Sequence, residues 1–361
     1  MEDYMKSYMK SACKAGLLFF CSLTLLTTSL LAQTDKGVVK VMTYNINEGS
    51  DFNEVLAAQT FPDFLAAVQI TVNSVEASNP PLRMQAVAHQ IAISQPDLVG
   101  LQEVTTWRVG PLPNPPVLYD MLQDLLDALK AQGQHYKVVA VVNQFQLEGP
   151  LPDLVDWAVA NDTDVILGRE EPGLQLSNVQ SANYTTLLTV PTLAGTVTIL
   201  RGWGSVDVAY HGQAFRFIVT HLENVVPQAL QATLFVQETQ AAELIAGPAN
   251  TPLPVIIAGD FNANTADPND PTFATHREMV NAGFVDAWSA TQPGDPGLTW
   301  QLVDSSAVNT ATQRIDYIFG RGPVRPLTTR LAGAATHDRI AGLWPSDHAG
   351  VHAVLQVGNS Y

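Results

Sequence analysis

Residues 254–263 read PVIIAGDFNA. Val255, Ile256 and Ile257 form a short β-branched run, and Gly259 closes it just ahead of Asp260 and Asn262. An apolar run of that length, bounded by turn-formers, is a buried strand rather than a core helix. It delivers two polar side chains to its C-terminal edge. The same form recurs along the chain. Val38–Ile46 is a strand running into Asn45 and Asn47, Asp97–Val104 ends at Glu103, and Ala214–His221 ends at His221. The strands Arg314–Phe319 and His348–Val357 extend the pattern, with Asp316 and the pair Asp347 and His348 read as further strand-end residues.

Between these strands the period changes. Leu82–Ser94 carries Met84, Val87, Ala88 and Ile91 at helical spacing, and Tyr119–Ala131 places Met121, Leu122, Leu125, Leu126 and Leu129 on one helical face. A helix opens near Pro227, apt for a first helical position, and runs towards Ala246. Val138–Val142, Thr196–Leu200 and Ser205–Tyr210 read as strands, with His211-Gly212 turning a hairpin into Ala214–His221. Two stretches, Ser50–Pro81 and Leu147–Asn183, read as excursions from this frame. Hairpins are too frequent for a purely parallel sheet, so the expected fold is a mixed α/β sandwich. No repeat or long linker divides the chain, which reads as one domain from Asp35 to the end.

Composition narrows the function. The chain has 361 residues, 46% of them hydrophobic, with 34 acidic against 18 basic side chains and a net charge of −16. That is enough apolar material for a real core. The acidity excludes binding to phosphate polymers by bulk electrostatics, so any phosphate chemistry belongs to a local site. Lys6, Lys10 and Lys14 precede an apolar run, Ala15 to Ala32, which reads as a secretory signal over residues 1–32, cut after Ala32. An uncleaved anchor is the alternative; Ser22, Thr24, Thr27, Thr28 and Ser29 interrupt the run and favour cleavage. Secretion to a periplasm or outside the cell is therefore expected, with no membrane-spanning segment in the mature chain. Both cysteines, Cys13 and Cys21, precede the cut, so disulfides and thiolate zinc are excluded.

Taken singly, each strand-end residue has a plainer explanation, since Asp and Asn commonly build turns from their own backbone. Together they suit one chemistry. Carboxylates and amide oxygens without sulfur suit a hard cation, Mg²⁺ first and Mn²⁺ or Ca²⁺ as alternatives. Two histidines supply acid and base near neutral pH. That set describes metal-assisted hydrolysis of a phosphoester by water. No Gly-x-Ser-x-Gly elbow, phosphate-binding P-loop or His-Glu-x-x-His pattern points elsewhere.

The blocks VMTYNIN (41–47), GLQEV (100–104), VTHLE (219–223), IAGDFNA (257–263), RIDYIF (314–319) and SDHAGV (346–351) resemble, in order, those of the endonuclease/exonuclease/phosphatase superfamily. The resemblance implies a four-layer sandwich of two packed, mainly antiparallel sheets flanked by helices, with the site at one edge. It implies that Asn45 and Glu103 bind the metal, with Asp347 beside it or at a second metal position. Asp260 and Asn262 would position water and phosphate, Asp260 being also a candidate base. His348 would pair with Asp316 as general base or phosphate contact, and His221 would protonate the leaving oxygen. A histidine at that last position leans towards the deoxyribonuclease and sphingomyelinase branches. The family's Ser-Arg block has its counterpart in DVILGRE (164–170), where Arg169 contacts phosphate or pairs with Glu170 or Glu171.

Three substrate classes follow. Nucleic acid leads slightly, because Arg314, Arg321, Arg325, Arg330 and Arg339 crowd the last blocks. A phospholipid headgroup is second, with Trp203, Trp288, Trp300 and Trp344 as membrane contacts, and a small soluble phosphoester is third. A catalytically dead binding protein would have lost an acid–base position, and none is missing. Nothing in the sequence calls for an obligate protein partner.

Overall fold

The computed structural model describes residues 37–193, 195–226 and 229–358. Residues 1–32, where a secretory signal is expected, and Pro227 lie outside the described residues. Two β-sheets pack face to face, with helices on both outer surfaces.

The first sheet has eight strands. Its spine runs β15 (Val324–Ala332), β16 (Gly350–Val357), β1 (Val38–Asn45), β2 (Leu98–Gln102), β6 (Asp156–Arg169), β3 (Thr106–Pro111) and β4 (Val117–Asp120). A long strand, β5 (Tyr136–Pro150), pairs along β6. The second sheet has six, in the order β13 (Val285–Asp286), β14 (Asp316–Arg321), β12 (Val255–Asp260), β11 (Gln213–His221), β10 (Gly202–Tyr210) and β7 (Gln175–Asn183). A separate hairpin joins β8 (Leu188–Thr192) to β9 (Gly195–Ile199). Two neighbouring pairs are parallel, β1 with β2 and β11 with β12; the other pairs are antiparallel.

Strand periodicity builds the layers. Alternate residues of each strand face opposite ways. Val39 and Val41 of β1, Phe215, Phe217 and Val219 of β11, and Ile256 and Ala258 of β12 meet between the sheets. The intervening Met42 and Tyr44 face outward onto Met84, Val87 and Ile91 of α3 (Pro80–Ser94) and Met121, Leu125 and Leu129 of α4 (Met121–Ala131). On the other side, Ile218 and Ile257 meet Ala241 and Leu244 of α5 (Leu230–Ala246) and Met279 of α6 (Phe273–Asn281). The four-layer expectation is met. Among the described residues no helix is long and apolar enough to cross a membrane. The His211-Gly212 turn forms with φ of 49° and 77°, the left-handed pair that matches the twist of a hairpin.

Both excursions belong to the frame. Residues 50–81 form α1 (Asn53–Ala57), all of α2 (Phe61–Ser78) and the start of α3. Residues 147–183 hold the end of β5, all of β6 and all of β7. Thus β6, which sits between β2 and β3, lies within the stretch that reads from the sequence as an excursion. Val138–Val142 is likewise only a third of a 15-residue strand.

Candidate active site

Topology gathers the polar residues at one edge. The parallel pairs β1/β2 and β11/β12 all run towards it and end on Asn45, Gln102, His221 and Asp260. The antiparallel strands arrive from it: Asp316 opens β14 opposite Asp260, and Asp347 and His348 just precede β16. Asp316, Asp347 and His348 therefore mark strand beginnings rather than ends. The edge is the same one, because an antiparallel neighbour starts where its partner stops.

All eight sequence-predicted residues converge there. The Asn45 amide donates to Glu103 Oε1 (2.7 Å) and to Asp260 Oδ2 (3.1 Å), joining carboxylates of the two sheets. Glu103 Oε2 accepts from the Glu48 N–H at 3.0 Å. Ser346 Oγ donates to the Asn45 carbonyl (2.8 Å), which pins the SDH segment to β1. Trp300 Nε1 reaches Asp347 Oδ2 at 3.3 Å. His348 Nδ1 lies 3.0 Å from Asp316 Oδ2, and its Nε2 lies 3.9 Å from Asp260 Oδ2. His221 approaches Asp260 from the other side, Nε2 to Oδ2 at 3.6 Å. Asn262 donates its backbone N–H to Asp260 Oδ1 (2.8 Å), and its side-chain amide lies 3.2 Å from His221 Nε2. Glu103 and Asn262 hold φ of 59° and 49°, left-handed values that strain a residue with a Cβ by about 1 kcal/mol or more. Gly259, next to Asp260, has no room for a side chain: a Cβ there would lie 2.4 Å from the Thr220 carbonyl oxygen.

Further residues belong to this edge that the sequence did not reveal. Arg201, just before β10, is buried and lies 3.0 Å from His221 Nδ1. A guanidinium only donates, so Nδ1 accepts, and a neutral His221 carries its proton on Nε2, facing Asp260. Asp164 of β6 stands 4.0 Å from the same ring, and Asp162 lies one alternation away, held by Thr105 at 2.8 Å. Glu48 and Glu223 complete the group. Asp162 and Asp164 sit inside a strand and Arg201 ahead of one, so a search for strand C-termini passes over them. Arg169, the arginine singled out instead, lies at the opposite edge, bound to Asp97 and to Glu171. It touches nothing here.

The electrostatics are lopsided. Burial pushes the Asp260 carboxyl up, Asp316 adds to it, and His348 and the Asn262 N–H offset part; the result is about 7. Burial and Glu103 carry Asp162 to about 7 as well. Burial raises Glu48, Glu103 and Asp164 too. His221 is held well below an ordinary histidine by burial, Arg201 and His348. For His348, burial alone would lower the ring, but Asp316, Asp347 and Asp260 overcome it and hold it well above the usual value.

A hard divalent cation fits this edge. Glu48 Oε2, Asp162 Oδ2, Asp164 Oδ1, Glu223 Oε2 and Asp316 Oδ1 are buried with no hydrogen-bond partner. Unpaired buried carboxylate oxygens are costly, and oxygen donors without sulfur suit Mg²⁺, Mn²⁺ or Ca²⁺. Asp260, Asp316 and His348 each bring a ligating atom within 4.8 Å of the others. Since His348 Nδ1 is spent on Asp316, that trio works better as a proton-holding unit than as a cage.

The sequence matches the model of the Endonuclease/Exonuclease/phosphatase family over residues 42–348, from the strand of Asn45 to His348 itself. The chain belongs to this family. Its members are hydrolytic phosphoesterases that generally use a divalent metal. No curated protein sequence matches it. Among solved structures, it is similar to an endonuclease/exonuclease/phosphatase from Beutenbergia cavernae, at 19% identity and TM-score 0.58, over 90% of this chain and 72% of that one. D. rerio TDP2, crystallised with a single-strand DNA product, is 18% identical with TM-score 0.54, over 90% and 99%. A mannosyl-6-phosphatase of Bacteroides thetaiotaomicron is 16% identical with TM-score 0.52, over 88% and 99%. At such identities the likeness is one of fold.

Proposed function

We propose that this family member is a secreted, divalent-cation-dependent phosphodiesterase whose substrate is not a polyanion. The observation that carries the reading is Asp260, set between His221 Nε2 at 3.6 Å and His348 Nε2 at 3.9 Å, at an edge rich in unpaired carboxylate oxygens. Glu103, Asn45 and Asp347 would hold the cation, with Mg²⁺ favoured. A bound cation supplies neutralisation of the phosphate oxygens and of charge on the leaving oxygen.

The chain's own groups supply the proton handling. Asp260, pushed up to about 7 by burial and by Asp316, is matched to taking a proton from water at neutral pH. Asn262 and Asn45 orient its two oxygens through their hydrogen bonds. His348 is held protonated by Asp316, which favours the phosphate-contact role over the general-base role. His221, neutral with Arg201 on Nδ1, offers one N–H at Nε2. To protonate the leaving oxygen as imidazolium it would first have to take up a second proton at Nδ1, in place of the Arg201 contact.

The slight lead of nucleic acid rested on five arginines, and they disperse. Arg314 is buried against Asp286 at 2.7 Å, Arg321 reaches the Ala249 carbonyl at the far end of β14, and Arg325 pairs in register with Gln356. Arg330 donates to the Ile93 carbonyl, and Arg339 to the Asp304 carbonyl. These five arginines therefore form no basic rim around the site, and a duplex needs several phosphate contacts. The four tryptophans are also occupied: Trp288 and Trp344 are buried, Trp203 is half-buried against the core beneath α5, and Trp300 bonds Asp347.

Turnover of bis-p-nitrophenyl phosphate tests the proposal. Activity with Mg²⁺, its loss in EDTA, and slower turnover by about 10² or more in Asp260→Ala and His348→Ala are expected. Inactivity of pure, cation-loaded protein would favour a binding protein on the same fold.

A further inference from the structure

Beside the acidic edge lies a small apolar cleft of about 60 Å³, room for a short alkyl chain and not for a bulky ligand. The segment 50–78, for which the sequence offered no role, builds one wall: Phe52, Val55 and Leu56, then Phe64, Val68 and Thr71 from one face of α2. Trp107, Leu147 and Ala158 form the floor, and Thr192 and Val197 of the β8/β9 hairpin overhang it. The cleft is joined to the site by a short relay. Phe52 stacks on Trp107 with ring centroids 5.8 Å apart, Trp107 Nε1 donates to the Glu48 carbonyl (2.8 Å), and the Glu48 N–H donates to Glu103.

The lining states what it accepts. Its polar groups are few. Thr192 Oγ1 already donates to the Gly195 carbonyl, and Glu148 would repel an anion. A nucleobase or peptide would bring several donors and acceptors into a place that satisfies almost none of them. One hydroxyl is free to pair: Thr71 is 4% exposed, and its Oγ1 has no hydrogen-bond partner. A helix threonine usually returns its hydroxyl to the preceding turn, so this one is unspent. Leu56, on the cleft wall, is 43% exposed, so the lining stays apolar where it meets solvent.

We propose that this cleft receives an alkyl chain of an amphiphilic phosphodiester, with Thr71 donating to or accepting from a single polar group on that chain while the phosphate sits at the acidic edge. The assignment rests on the phosphodiesterase reading above and narrows it to a lipid-like substrate.

A series of n-alkylphosphonates, methyl to octyl, kept below their aggregation limit, separates the two claims. Each is tested as an inhibitor of bis-p-nitrophenyl phosphate turnover with Mg²⁺. Inhibition constants should fall by about twofold to fourfold per methylene until the cleft is full, roughly 10²-fold overall. Leu56→Asp should weaken octylphosphonate by about tenfold or more, with methylphosphonate inhibition and uninhibited turnover unchanged. Because Leu56 is partly exposed, the variant should fold as wild type, checked by circular dichroism. Active enzyme whose inhibition ignores chain length, or is bettered by a benzyl or thymidine phosphonate, overturns the cleft assignment. Absence of any turnover strikes the phosphodiesterase reading instead. Direct calorimetry of octylphosphonate against Leu56→Asp then decides the cleft on its own.

Discussion

The C-terminal end and the middle of β6 treat charge in opposite ways. At the C-terminal end Arg169 meets Asp97 and Glu171, with Tyr210 donating to Glu171, so each carboxylate has a partner of complementary type and only Arg169 Nε is left without one. Midway along the strand Asp162 and Asp164 enter a crowd with Glu48, Glu103 and Glu223, faced by Arg201, and several of their oxygens bond nothing. A fold that needed both regions only for stability would pair the carboxylates of both. Buried carboxylates without partners are retained at a cost, and the far end shows that this sequence can pair them. The open middle is thus an electrostatic deficit suited to a divalent cation and a phosphate.

The contrast can be broken most forcefully at its centre. Asp260→Ala or His348→Ala should lower turnover by about 10² or more, whereas Arg169→Ala should leave it within about twofold. Equal losses would mean that the site and the far end of β6 do not differ in the sense argued. Next, Mn²⁺ or Mg²⁺ at about 100 times Kd should stabilise the protein by about 2.7 kcal/mol, a rise in Tm of a few degrees. Glu103→Gln should remove that rise and Arg169→Ala should keep it, as read by thermal scans with and without EDTA.

A third balanced site sharpens the comparison through pH. Burial pushes the Asp286 carboxyl up, but His276, Arg314 and Ser289 outweigh it and bring it to about 2. The folded value lies below the unfolded one of about 3.9, so the stabilisation is present above pH 4 and drains away as pH falls through 2. Asp286→Asn should therefore cost about 2 kcal/mol at neutral pH, with the gap to wild type closing in acid, as measured by urea unfolding. The smallest effect belongs to the exposed side of the far end. Arg169→Ala should cost about 1 kcal/mol or less, since its ion pairs are partly solvated.

Much of this was legible where strands are apolar and short. Val255–Gly259 announces β12, and the helical spacing of Met84, Val87 and Ile91 announces α3. The eight polar positions at the edge were legible because each interrupts or borders such a run. What stayed hidden has a common cause. Asp162 and Asp164 break the alternation of β6 at the place where the site needs buried acids, so the segment reads as a loop. Arg201 sits ahead of β10 with no local sign that it meets His221, since that contact depends on the register Gly202↔His221. The left-handed backbone of Glu103 and Asn262 is likewise set by tertiary packing and not by residue type.

Calorimetric titration of Mn²⁺ into metal-free protein, wild type beside Glu103→Gln, tests the central claim most directly. Saturable binding in the wild type that is lost or weakened by about 10² in the variant is the predicted result. Equal binding isotherms for the two proteins, or none in the wild type, would contradict it.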